Sequence, residues 1–361
     1  MKSSLSQTKS LFAHHIARRK FMRYGAMAVG AGVIASCTSP DADSAASPSG
    51  DESGEALESI TFGTSWFAQA EHGGFYQAVA TGIYAEYGLD VTIRMGGPQV
   101  NGGQLLMAGT TDFNMGYAVD ALKAIESGVP KVAVAGIFQK DPQALIAHPD
   151  VGVSSFEDLK GKKILLASSA QTTFWPFLKA KYGFTDDQVG TYTFNVGPFI
   201  ADKSLAQQCY ITSEPFAVKQ EGGFEPVVLL MSDHGYSNYG ETIETRRELM
   251  ESNPDLVQRF VDASIKGWYS YLEDPAPGNA LIQQDNPEMS DEQLAFGFEK
   301  LQEYGIIVSG DAESAGIGAM TETRWKELYT SMADIGVFSK EMPYEEAFSL
   351  DFINKGQEAY T

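Results

Sequence analysis

The sequence predicts an α/β protein built as two lobes with a cleft between them, and three observations carry that expectation. Strand-like and helix-like segments alternate from residue 58 onward. A second alternating series begins near residue 156, and after residue 250 the pattern turns to helices alone. Alternation of this kind implies parallel sheets covered by helices. The 361 residues, 43% of them hydrophobic, suffice for two cores and are too apolar for a disordered chain. On this reading residues 58–147 and 239–361 form the first lobe and residues 148–238 the second.

In the first series, Ile60–Gly63 reads as a strand, Phe75–Tyr87 as a helix stopped by Gly88, and Leu89–Ile93 as a strand. Residues 99–108 read as a helix, 112–116 as extended, 118–127 as a helix and 132–138 as a buried strand. In the second series a helix near 156–160 precedes a strand at 163–167 and a helix at 173–182 stopped by Gly183. Strands follow near 192–195, 210–212 and 226–230. Beyond residue 250, Asn253-Pro254-Asp255 is a cap with proline at the first helical position. Leu256, Phe260, Val261, Ile265, Trp268 and Leu272 then mark one apolar face, and Ser290 with Gln293 forms a capping box. Trp268 and Trp325 are expected to be packing residues. No internal repeat points to a solenoid.

Residues 1–37 read as an export signal and are set aside from fold reasoning. A basic stretch ends in Arg18-Arg19-Lys20-Phe21-Met22, which resembles a twin-arginine (Tat) signal. The weakly apolar run after it is too short to span a bilayer, and Val33-Ile34-Ala35-Ser36-Cys37 resembles a lipobox with Cys37 as the lipidated residue. Residues 38–57, rich in Ser, Pro, Ala, Asp, Glu and Gly, read as a disordered tether. Signal, anchor and tether imply a lipoprotein on the periplasmic or extracytoplasmic face, touching the membrane only through its lipid.

Beyond Cys37 the chain carries 20 basic against 47 acidic residues, a formal charge of −27. Such a surface repels nucleic acid and anionic lipid. Two cysteines, Cys37 and Cys209, are too few for a disulfide framework, and Cys209 reads as a small buried residue.

In open α/β sheets, ligands bind beyond the carboxyl ends of the strands. The loops there pair aromatics with small hydroxylated or amide residues: Thr64–Phe67, Glu71–Gly74, Asn114–Tyr117, Ser168–Trp175 and Thr212–Phe216. That combination suits a flat, weakly charged heteroaromatic ligand, with rings stacking on its faces and polar groups reading its edge. The ligand-binding candidates are Trp66, His72, Asn114, Gly116, Tyr117, Gln171, Thr172, Thr173, Trp175 and Glu214, with Trp66 and Trp175 expected to face each other across the gap. Three histidines beyond Cys37, in no cluster of metal spacing, give no expectation of a metal site. No Walker A motif, nucleophile elbow or Ser/His/Asp arrangement is legible, so no catalytic residue and no cofactor are expected.

Ser65-Trp66-Phe67, His72-Gly73-Gly74-Phe75-Tyr76 and Ala78, followed by Gly82-Ile83-Tyr84 and Tyr87-Gly88-Leu89-Asp90-Val91, resemble the NMT1/THI5-like family. The resemblance continues through Met107-Ala108-Gly109, Asp112–Gly116, Leu159-Lys160-Gly161-Lys162 and Asn253–Val257. It implies a type II periplasmic-binding-protein fold whose lobes close on a ligand by a hinge. It also implies a monomeric substrate-binding component of an ABC importer, working with a permease and a separate ATPase subunit. The ligands it implies are thiamine pyrimidine precursors, other pyrimidines or riboflavin. By resemblance, Trp66 and His72 match residues near the bound pyrimidine, and Glu214 in Ser-Glu-Pro is similar to a ligand-reading carboxylate. The alternatives are a pyrimidine synthase of the fungal branch, whose cysteine-rich motif this chain lacks, a binder of small sulfonates or nitrate, and a sensor that presents its bound ligand to a signalling partner.

Overall fold

The computed structural model describes residues 56–360, so the expected export signal, Cys37 and all but the last two residues of the tether lie outside the described residues. Ten strands make two sheets. The first contains β1 (Glu58–Gly63), β2 (Leu89–Arg94), β3 (Phe113–Gly116), β4 (Lys131–Phe138) and, much later in the chain, the strand Gly240–Arg246. The second contains β5 (Gln143–Ala147), β6 (Ile164–Leu166), β7 (Val189–Thr191), β8 (Ala206–Tyr210) and β9 (Val227–Leu230). With Gly240–Arg246 as β10, the strand orders are β2-β1-β3-β10-β4 and β7-β6-β8-β5-β9. Helices flank each sheet, giving two α/β lobes.

The sheets are mixed and not parallel as expected. β10 runs antiparallel to β3 and β4, and β5 runs antiparallel to β8 and β9. The reason lies in the crossings. β4 ends at the cleft, four residues carry the chain over, and β5 therefore starts at the cleft and runs away from it. The return from β9 does the same for β10, which puts the beginning of β10 beside the cleft. Neither β5 nor β10 falls in a stretch read as a strand, and β7 and β8 end earlier than the strands expected near 192–195 and 210–212.

The two crossings are fastened to each other. Asn238 Nδ2 donates to Asp141 Oδ2 at 2.7 Å, and Val119 N–H donates to Asn238 Oδ1 at 3.0 Å. Arg324, on the helix Glu322–Asp334, donates to the carbonyl of Ser237 at 3.1 Å and also to that of Gln139. One guanidinium thus holds both connecting strands.

The Gly73-Gly74 pair of the helix Gly73–Ala80 has a packing role. A Cβ at Gly73 would lie 2.1 Å from the Tyr271 ring, and one at Gly74 would lie 2.2 Å from the Trp268 indole. Side chains there would push the helix off Pro254–Glu273, against which it is seated. Trp268 and Trp325 are fully buried, as their apolar settings require. The Asn253 cap behaves as read, accepting from the Leu256 N–H; of the expected capping box one half forms, the Ser290 hydroxyl accepting from the Gln293 N–H. The helix expected over 75–87 is interrupted at Gly82, after which Ile83–Glu86 forms a separate turn. No helix among the described residues is long and apolar enough to cross a membrane.

Candidate functional site

A cavity of about 820 Å³ lies where the carboxyl ends of β1, β3, β6 and β8 face each other, joined by the start of β10. That is within the roughly 300–1,000 Å³ typical of small-molecule sites. From the first lobe come Trp66, Glu71, His72, Asn114, Gly116 and Tyr117; from the second come Thr173, Tyr192, Phe194, Tyr210 and Glu214; and from β10 come Glu241 and Glu244.

Three contacts among the described residues join the lobes across the interior of this cavity. The Trp66 and Phe194 rings are 4.7 Å apart between centroids, tilted by 44°. The hydroxyls of Tyr117 and Tyr210 are 3.0 Å apart. The Thr212 hydroxyl donates to Glu71.

Seven of the ten expected ligand-binding residues line the cavity: Trp66, His72, Asn114, Gly116, Tyr117, Thr173 and Glu214. Asn114 is held by its neighbours, since a Cβ at Gly63 or Gly102 would lie 2.1 or 2.2 Å from its amide atoms. Gly116 leaves room for Glu244, whose carboxylate would lie 2.3 Å from a Cβ there. Glu214 opens the helix Glu214–Gly222 and accepts from the Tyr210 N–H at 2.6 Å and the Tyr192 hydroxyl at 2.9 Å. Burial pushes its carboxyl above the usual range, and those two donors pull against the shift.

The other three are placed elsewhere. Trp175 does not face Trp66. Its indole is 1% exposed within the second lobe, beside Phe184 at 5.7 Å, with its N–H donated to Asp186 at 2.9 Å. A large apolar ring on the first turn of the helix Trp175–Tyr182 gains more from that core than from the cleft. Gln171 and Thr172 lie on the exposed turn Ser169–Thr172, where Thr172 takes a hydrogen bond from Lys123 at 3.0 Å on the outer rim. The ring opposite Trp66 is Phe194. Tyr192-Thr193-Phe194 alternates like a strand, but β7 ends at Thr191 and leaves both rings in the loop past its carboxyl end.

Sequence reasoning also missed the acid groups of the floor. Glu71 is buried and pushed up to about 7, chiefly by loss of hydration, with the Thr212 hydroxyl opposing. Glu241 is buried, and its carboxyl is driven well above the usual range by burial first and by the charge of Glu71 second. One of its oxygens has no partner among the described residues. Glu244 is also raised by burial, against the pull of Lys131 at 2.6 Å. His72 is pushed down to about 3 by burial, so its imidazole is neutral at pH 7, and its Nδ1 has no partner among the described residues. No group of three or more His, Cys, Asp or Glu among the described residues is arranged to hold a metal. Cys209 is buried and its thiol is pushed up by burial, which leaves it a poor nucleophile.

The model of the NMT1/THI5-like family matches residues 69–277. The riboflavin-binding protein RibY of Chloroflexus aurantiacus is 25% identical over 312 residues, covering 83% of this chain and 87% of that protein. The formylaminopyrimidine-binding protein of Halalkalibacterium halodurans is 26% identical over 316 residues, covering 82% and 91%. The 4-amino-5-hydroxymethyl-2-methylpyrimidine phosphate synthase of Schizosaccharomyces pombe is 23% identical over 259 residues, covering 68% and 75%. Among solved structures, the periplasmic aliphatic sulphonate binding protein SsuA of Escherichia coli superposes with a TM-score of 0.62 at 13% identity, covering 80% and 91%.

Proposed function

The chain belongs to the NMT1/THI5-like family, and from that premise we propose that it is the substrate-binding component of an ABC importer. In this reading Cys37 carries a lipid anchor at the extracytoplasmic face. The lobes, residues 58–147 with 239–361 and residues 148–238, close on a small heteroaromatic nutrient and present it to a permease. A thiamine pyrimidine precursor, another pyrimidine or riboflavin is the expected class.

The observation that carries this reading is the cavity itself, which is walled by Trp66 and Phe194 from opposite lobes and edged by buried carboxylates. A ring between those two faces would gain about 1–3 kcal/mol per stack. Micromolar affinity requires about −8 kcal/mol in total. Stacking, a few hydrogen bonds and a cleft already shaped supply a sum of that order. Capture of a small anion is disfavoured, because among the described residues Lys131 is the only lysine or arginine lining the cavity, and it is already paired with Glu244.

Two relatives named as binding proteins and the lack of the synthase branch's cysteine-rich motif favour a binder over a synthase. The test is calorimetry on the full chain with hydroxymethylpyrimidine, formylaminopyrimidine, uracil, riboflavin, thiamine and taurine. Binding of at least one ring compound, and not of taurine, is expected. Taurine as the sole ligand would overturn the reading, as would turnover to a pyrimidine product on incubation with iron and pyridoxal phosphate.

A further inference from the structure

We propose that Glu71, His72 and Glu241 at the floor of the cleft form a subsite for a positively charged nitrogen group of the ligand, an amidinium or ammonium edge carrying N–H donors. The inference rests on the ring-capture reading above and adds the charge of the ligand to it.

Glu241 supplies the first observation. Its side chain is 1% exposed and lines the cavity, yet one carboxyl oxygen has no partner among the described residues. A buried acceptor left unpaired is costly, the more so when charged, so an oxygen of this kind is satisfied by something that enters. The Glu241 backbone sits at φ 44°, in the left-handed region that a glutamate rarely adopts. Strain of that kind persists where the surrounding fold fixes a residue for a purpose. Here it is the second residue of β10, just after the crossing and at the cleft.

His72 supplies the second. It is 1% exposed, lines the same floor and leaves Nδ1 unpartnered among the described residues. As a neutral imidazole it can accept a hydrogen bond there without adding charge.

The charge balance decides the sign. Among the described residues, Glu71, Asp120, Glu214, Glu241 and Glu244 line the cavity against one lysine, Lys131, which is committed to Glu244 at 2.6 Å. Burial first, and the nearby charge of Glu71 second, raise the Glu241 carboxyl. A cation beside Glu241 pairs its free oxygen and offsets the charge of Glu71, whereas a sulfonate adds negative charge to a floor already lined with carboxyls.

The test compares benzamidine, a ring with an amidinium edge, with its neutral isostere benzamide, by calorimetry on the full chain in two buffers of different ionisation enthalpy. Benzamidine is expected to bind at least about tenfold more tightly, and to release protons to the buffer as a floor carboxyl ionises against it. Glu241→Gln is expected to abolish the preference and the proton release; Glu71→Gln reports on the second carboxyl if the first variant does not fold. Equal affinities, or a preference that survives both variants, would overturn the subsite and leave ring capture standing. Binding of neither compound would overturn ring capture and the subsite with it.

Discussion

The indole of Trp66 and the ring of Phe194 meet across the cleft with centroids 4.7 Å apart, one from each lobe. Phe194 is 45% exposed and sits at φ 57°, so it is held out into the cleft and is not buried in the core. A planar ligand entering there would replace ring–ring contact with ring–ligand contact on both sides.

Trp66→Ala and Phe194→Ala are each expected to weaken ligand binding about tenfold or more, in line with about 1–3 kcal/mol per stack. Thermal stability should change little, because neither ring is fully buried. Trp175→Ala should behave in the opposite way, costing about 3–5 kcal/mol of stability, since its indole is 1% exposed. Urea titration and calorimetry on the three variants separate the two patterns.

Lys131→Ala is expected to cost about 3–5 kcal/mol, because it leaves Glu244 buried without its counter-ion. The exposed pair Lys203–Asp150 serves as the control: Lys203→Ala should leave stability nearly unchanged. Urea unfolding of the two variants measures the difference.

Arg324→Ala removes the guanidinium that donates to the carbonyls of both crossings. Hydrogen bonds of this charged kind contribute about 1.5–3 kcal/mol each, so a loss of about 3 kcal/mol in urea unfolding is expected. Faster ligand release in stopped-flow measurements should accompany it, as the crossings lose their common anchor.

The pH dependence has two opposed contributions. Glu71, raised from 4.5 to about 7, is protonated in the folded state where the unfolded chain has already ionised, so its contribution to stability is present at acid pH and is lost as pH rises toward 7. His72, lowered from 6.5 to about 3, contributes stability above 6.5 that is lost on acidification. Glu71→Gln should therefore gain stability relative to the parent between pH 5 and pH 8, by up to about 3 kcal/mol. His72→Gln should gain as pH falls from 7 to 5. Thermal melts across that range, taken as differences from the parent chain, distinguish the two signs.

Cys37→Ser is expected to move the protein from the membrane fraction to the soluble fraction of its host, the outcome that lipid anchoring at this residue requires. Fractionation followed by immunoblotting reads it directly.

The sequence by itself determined the α/β class, the two lobes, the caps at Asn253 and Ser290, and the loops that hold Trp66, His72, Asn114, Gly116 and Glu214. These follow from local periodicity and from where loops must fall at strand ends. Tertiary structure alone decided the rest. β10 carries Glu241, Glu244 and Arg246 although it is buried between β3 and β4, so it lacks the apolar run that marks a central strand. Its charges are tolerated because Lys131 lies against one of them and the cleft receives another, and both partners are set by pairing across more than a hundred residues. The direction of an aromatic is decided in the same way. Trp175 turns into its lobe and Phe194 out of it because neighbouring packing chooses between core and cleft, and sequence spacing does not contain that choice.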